Sequence, residues 1–90
     1  MENEEISDRA FRELNFIACL KIPTKVNSKK DLFNAIFIAQ MKIAILVCPK
    51  AKKKACEYIE DIFDEEEEDY REEYSIYFKK RYNNILKLKD

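Results

Sequence analysis

The residues that decide the fold are 32–47, with the sequence LFNAIFIAQMKIAILV. Only Asn34, Gln40 and Lys42 interrupt this apolar run. A surface helix of a globular protein carries a broad polar face, and this segment has none. We therefore predict a helix at about Lys29–Val47 that lies in the centre of the protein. The run is short for a bilayer and holds a central lysine, so we expect no membrane span.

Signals on both sides of this run indicate where helices begin and end. Ser28 followed by Asp31 resembles a capping box at the start of the central helix. Pro49 suits the first position of a third helix, where the missing N–H is not needed. The complete absence of glycine disfavours tight hairpins, which makes a β-protein improbable.

The N-terminal residues are also predicted to be helical. Asn3 is a suitable N-cap, and the acidic residues that follow it favour the positive end of a helix dipole. Pro23 biases the residue before it away from the α region, so we expect this first helix to stop near Lys21. The acidic N-terminus does not look like a secretory signal, and we expect a cytoplasmic protein.

The C-terminal half contains one or two further helices. Apolar residues keep helical spacing on both sides of Glu66, and we favour a break between Asp64 and Asp69 while leaving one long helix open. The prediction is an all-α, single-domain bundle of three to four helices spanning residues 1–90. Ninety residues cannot fully surround the central helix, so we expect homodimerisation to complete the fold. The side chains expected in the core or the dimer interface are Phe37, Met41, Ile45, Tyr70, Tyr74 and Tyr77.

Residues 57–73, here called the acidic block, hold eleven of the eighteen carboxylates against a single cation, Arg71. In a helix, like charges four residues apart would repel by about 0.2–0.5 kcal/mol a pair. A basic surface in the same chain, in a second copy or in a partner would offset this repulsion. Along a helix the block carries one charge per roughly 2.3 Å, close to the density of duplex DNA at about 1.7 Å.

No pattern of catalytic, metal-binding or cofactor-binding residues is present. The chain has no histidine, which leaves little from which to build a zinc site. Its three cysteines lie in apolar runs, as reduced and buried thiols do. Paired carboxylates in an exposed run lack the pocket that general acid–base catalysis requires. We therefore expect no enzyme, no metal and no cofactor.

These patterns favour a non-enzymatic regulator or inhibitor that binds a basic protein through an acidic helical face. A phage-type DNA mimic acting on a nucleic-acid enzyme would be one such protein. One alternative is a structural or assembly homo-oligomer in which the acidic block pairs with the chain's own basic residues. Direct nucleic-acid binding through the lysines of residues 50–54 and 79–81 is the least favoured alternative. The carboxylates expected to contact the partner are Asp61, Asp64, Glu65, Glu68 and Glu72.

Overall fold

The computed structural model describes residues 5–47, 50 and 71–90. Within these ranges the chain forms three α-helices: α1 at Asp8–Ala18, α2 at Lys29–Val47 and α3 at Arg71–Leu86. These described residues contain no β-strand, so the all-helical prediction is confirmed for them. The third helix expected from Pro49 and the expected break between Asp64 and Asp69 lie outside the described residues.

The central helix α2 has the bounds that the sequence predicts. The Ser28 hydroxyl accepts a hydrogen bond from the Asp31 backbone N–H at 3.1 Å. The Asp31 carboxylate in turn accepts from the backbone N–H of Asn27 at 3.2 Å, which satisfies a second donor before the helix. These two bonds explain why the helix begins at Lys29, because free N–H groups at a helix start need acceptors.

Helix α1 begins later and ends earlier than the sequence suggested. Ser7 is its N-cap, and the Ser7 hydroxyl accepts from the Ala10 backbone N–H at 3.0 Å. Glu5 and Ile6 are not helical, so the expectation of a helix starting after Asn3 is wrong. The helix ends at Ala18 rather than near Lys21, with Cys19 as its C-cap.

All three helices contribute to one core around α2. Phe37 and Met41 on α2 have no exposed surface. Burying side chains of this size contributes about 1.5–3 kcal/mol each relative to leaving them in water. Buried residues recur every three or four positions along α1 and α3, which confirms the predicted helical periodicity there. On α2 the buried residues follow more closely, as expected for a central helix. The partners of α2 in this core are Ala10, Leu14 and Ile17 from α1 and Tyr74, Phe78, Tyr82 and Ile85 from α3.

Aromatic rings form the contact between α2 and α3. Phe33 meets Tyr74 edge-on at a centroid distance of 5.3 Å, and the rings of Phe37 and Phe78 lie 5.8 Å apart. The stack continues along α3, where Phe78 and Tyr82 are nearly parallel at 5.2 Å. Pairs of this geometry add about 0.5–1.5 kcal/mol beyond their buried area, so they fix how α3 lies on α2.

The segment after α3 returns to the start of α1. The Ser7 hydroxyl donates to the Leu88 carbonyl at 2.7 Å, and the Arg9 backbone N–H donates to the Asp90 carboxylate at 2.8 Å. Asp90 therefore places a negative charge at the positive end of α1, where it is favourable. These contacts join the beginning and the end of the described chain.

Cys19 corrects one expectation about the thiols. It is free and exposed, although its apolar neighbours suggested burial. The buried stripe of α1 runs through Ala10, Leu14 and Ile17, and Cys19 lies off that stripe at the helix end.

No helix in the described part of the chain is long and apolar enough to cross a membrane.

Candidate protein-binding face

The structure describes only the C-terminal end of the acidic block, residues 71–73, which lies in the first turn of α3. Glu72, one of the five predicted partner-binding carboxylates, is exposed there, and so is Glu73. Acidic side chains are favourable at this end of a helix because they face the positive end of its dipole. The other four predicted carboxylates, Asp61, Asp64, Glu65 and Glu68, lie outside the described residues.

The helical turn that carries Glu72 and Glu73 packs on the core through the next residue, Tyr74. Tyr74 is 1% exposed and lies in the core against Phe33. The first turn of α3 therefore has one face in the core and one face of carboxylates in solvent. The C-terminal end of the acidic block is therefore joined to the core through Tyr74.

A cation from α2 neutralises part of this face. The Lys29 ammonium lies 2.8 Å from the Glu73 carboxylate, with the two side chains 46% and 56% exposed. An exposed pair of this kind contributes at most about 1 kcal/mol. Glu72, in contrast, makes no ion pair with any residue that the structure describes. Compensation within the chain is thus present at Glu73 and absent at Glu72 among the described contacts.

The basic residue Lys50 also pairs within the chain. The Lys50 ammonium lies 2.6 Å from the Asp8 carboxylate and 5.6 Å from the centre of the Phe11 ring. The hydrogen bond from Lys50 lowers the pKa of Asp8, and the hydrogen bond to Asp8 raises the pKa of Lys50. The first lysine of the cluster at 50–54 is thus engaged with α1.

The tyrosine and phenylalanine side chains of α3 lie mainly inside the protein. Tyr74, Phe78 and Tyr82 are buried, and Tyr77 is half-buried with its ring 5.4 Å from that of Phe33. Tyr70 lies outside the described residues. The exposed Lys79 and Lys80 therefore lack exposed rings of α3 beside them on which nucleic-acid bases would stack.

The predicted residues of α2 occupy the same core. Phe37 and Met41 are fully buried within one chain, and Ile45 is half-buried. Further along α2, the exposed apolar side chains are Ile43, Leu46 and Val47, with Leu46 82% exposed. Among the described residues, the C-terminal end of α2 thus presents apolar side chains to solvent.

A buried polar pair joins α2 to α3. The Tyr74 hydroxyl donates to the Gln40 side-chain carbonyl, and Gln40 is 4% exposed. Burial raises the pKa of Tyr74, because the phenolate form would have to give up its hydration. In the sequence, Gln40 is one of three polar interruptions of an apolar run. A lone amide at a core position was the available signal, since such a group requires a partner.

Arg81 makes a second set of contacts between α2 and α3 that the sequence did not predict. Its guanidinium lies 4.4 Å from the centre of the Phe37 ring. Its Nη1 atom donates to the Asn34 side-chain carbonyl at 2.7 Å and to the Tyr77 hydroxyl at 2.6 Å. A planar guanidinium suits this combination of ring and acceptors, and a lysine would not.

Neither a metal site nor a known relative indicates what this face does. Among the described residues, no group of three or more histidine, cysteine or acidic side chains is arranged to hold a metal ion. Comparison with models of protein families, with curated proteins and with solved structures finds no match to this chain.

Proposed function

We propose that this chain is a non-enzymatic protein-binding regulator that presents its acidic block to a basic surface of a partner, such as the DNA-binding channel of a nucleic-acid enzyme. The observation that carries the proposal is the first turn of α3. There, Glu72 and Glu73 are exposed directly beside the buried Tyr74. The core thus fixes one end of a segment that carries eleven carboxylates.

The charge balance of the block supports action on a partner. Lys29 compensates Glu73 from outside the block, but Glu72 has no such cation among the described residues. Complementary charge on a partner would relieve the remaining repulsion and speed association. An inhibitor of this kind needs no catalytic residues, only a surface that competes with phosphates.

A structural homodimer is the second candidate. The exposed Leu46 and Val47 at the end of α2 favour it, because apolar side chains that cluster on a surface often lie in interfaces. In this case the acidic block would pair with the basic residues near the C-terminus of a second copy. Nucleic-acid binding through Lys79 and Lys80 is less favoured, since the neighbouring rings are buried.

Fluorescence anisotropy with a labelled arginine-rich peptide tests the proposal. The variant Asp64→Asn with Glu68→Gln removes two charges from the block and changes little else. We expect its affinity to fall about 2- to 30-fold, since each exposed charge pair contributes about 0.2–1 kcal/mol.

The matched control is Glu5→Gln with Glu13→Gln, which removes two exposed carboxylates outside the block. This control should bind the peptide like the unmodified chain. Circular dichroism on each variant verifies that helicity is kept. Equal losses in both variants would mean that the peptide responds only to net charge, and the proposal would then be wrong.

A further inference from the structure

A cleft between α1 and α3 lies apart from the acidic block. Its volume is about 390 Å³, within the range of small-ligand pockets. Its apolar lining comes from Ile17, Ile85 and Leu88. Ile17 and Ile85 are also core residues, with 3% and 8% of their surface exposed. The cleft therefore has a floor that the folded core holds in place.

Two arginines line the same cleft from different helices. Arg9 comes from the first turn of α1, and Arg81 comes from α3. Among the described residues of the lining, Glu13 is the one carboxylate, so these residues carry an excess of one positive charge. Neither arginine lies within ion-pair distance of a carboxylate among the described residues. A small anion would meet two guanidinium groups that no described carboxylate pairs directly.

Arg81 is oriented before any ligand arrives. The Phe37 ring, 4.4 Å away, and the acceptors on Asn34 and Tyr77 hold its guanidinium. Both acceptors use the Nη1 atom, so the N–H groups on Nε and Nη2 are left without a partner in the described part of the chain. Those two nitrogens form the edge with which arginine binds a carboxylate through two parallel hydrogen bonds.

We propose that this cleft binds a small monocarboxylate with an apolar body, its carboxylate on Arg81 and its chain on Ile17, Ile85 and Leu88, while the charge of Arg9 adds to the attraction. The single excess charge of the lining matches one carboxylate. Glu13 disfavours ligands with greater negative charge, such as a phosphate monoester. This site does not depend on the function proposed for the acidic block.

NMR titration of the full chain with octanoate tests the site. We expect saturable shifts of the backbone amide signals of Arg9, Glu13 and Ile85. Octanamide has the same apolar body without the charge, and acetate has the charge without the body. Each should bind at least about tenfold more weakly, because charge-assisted hydrogen bonds and apolar burial are both needed.

Two variants locate the carboxylate. Arg81→Lys keeps the charge but loses the planar fork, and Arg9→Gln removes an exposed cation with little risk to folding. Arg81→Lys should bind octanoate at least about fivefold more weakly, because it loses charge-assisted hydrogen bonds, and Arg9→Gln about 1.5- to 5-fold more weakly. Lys80→Gln, an exposed change on the same helix, should bind as the unmodified chain does. The proposal is overturned if the shifts do not saturate, if octanamide binds as well as octanoate, or if both arginine variants keep full affinity.

Discussion

The buried pair between Gln40 and Tyr74 yields a sharp prediction about stability. Tyr74→Phe removes the hydroxyl that donates to Gln40 and leaves the ring in place. Because Gln40 is 4% exposed, its carbonyl cannot readily turn to bulk water. Leaving a buried acceptor without its donor costs about 1–3 kcal/mol, and we expect that loss in the free energy of unfolding.

The double variant separates this pair from simple packing. Gln40→Met removes the acceptor while keeping a flexible side chain of similar length. Combined with Tyr74→Phe, it replaces both polar groups with apolar ones, which is often nearly neutral. We therefore expect the double variant to be at least about 1 kcal/mol more stable than the sum of the single effects implies.

Urea denaturation followed by circular dichroism measures these free energies, with unchanged m-values as the condition for comparing them. Tyr77→Phe is the matched control, since its hydroxyl is only part-buried and accepts from Arg81. That change should cost less than Tyr74→Phe. Additive effects of Tyr74→Phe and Gln40→Met would refute the account of a coupled buried pair.

Two further predictions concern pH and capping. Burial raises the pKa of Tyr74 above its ordinary value of 10.0, so above about pH 10 the unfolded chain loses a proton that the folded chain keeps. The free energy of unfolding should therefore fall as the pH rises beyond 10, by up to about 1.4 kcal/mol per pH unit from this group. Urea melts at successive pH values measure this slope, and Tyr74→Phe should lessen it. An unchanged slope in the variant would contradict the burial of this hydroxyl. Ser7→Ala should lower the free energy of unfolding by about 1–2 kcal/mol in thermal melts, because it removes the cap of α1 and the bond to Leu88. The control Ser75→Ala, within α3, should change it by less than about 0.5 kcal/mol in either direction. Equal effects of the two changes would show that the cap does not contribute.

The central helix could be predicted from sequence because its signals are local. The apolar run of residues 32–47 and the pair formed by Ser28 and Asp31 act within a few residues of the helix itself. The expected start of α1 was wrong because Asn3 and the acidic residues after it form a local cap signal, whereas the observed N-cap is Ser7. The hydroxyl of Ser7 also donates to the distant Leu88 carbonyl, a contact that no local pattern contains.

The contacts that orient α3 could not be predicted for the same reason. Gln40 and Tyr74 are 34 positions apart, and Asn34 and Arg81 are 47 apart. Which residues meet depends on the rotation of α3 about its axis against α2. The sequence predicted an aromatic face on α3, but only the structure shows that Tyr74, Phe78 and Tyr82 turn inwards while Tyr77 lies at the edge.

Only part of the candidate binding face could be predicted from the sequence. The acidic block is visible in the sequence as a count of charges, and its exposure at Glu72 follows from the burial of Tyr74. The pairing of Lys29 with Glu73 joins residues 44 positions apart, so the sequence did not contain it. That pairing matters because it sets how much of the charge remains for a partner.

The central claim, that the acidic block acts on a partner rather than within an oligomer, is tested most directly by light scattering coupled to size exclusion at about 50 mM and about 500 mM salt. Over that range the screening length falls from above about 10 Å to below it, so contacts between exposed acidic and basic residues weaken strongly. The account predicts a molar mass that does not change with salt. A dimer at low salt that dissociates at high salt would contradict it, because the acidic block would then be neutralised by a second copy of the chain.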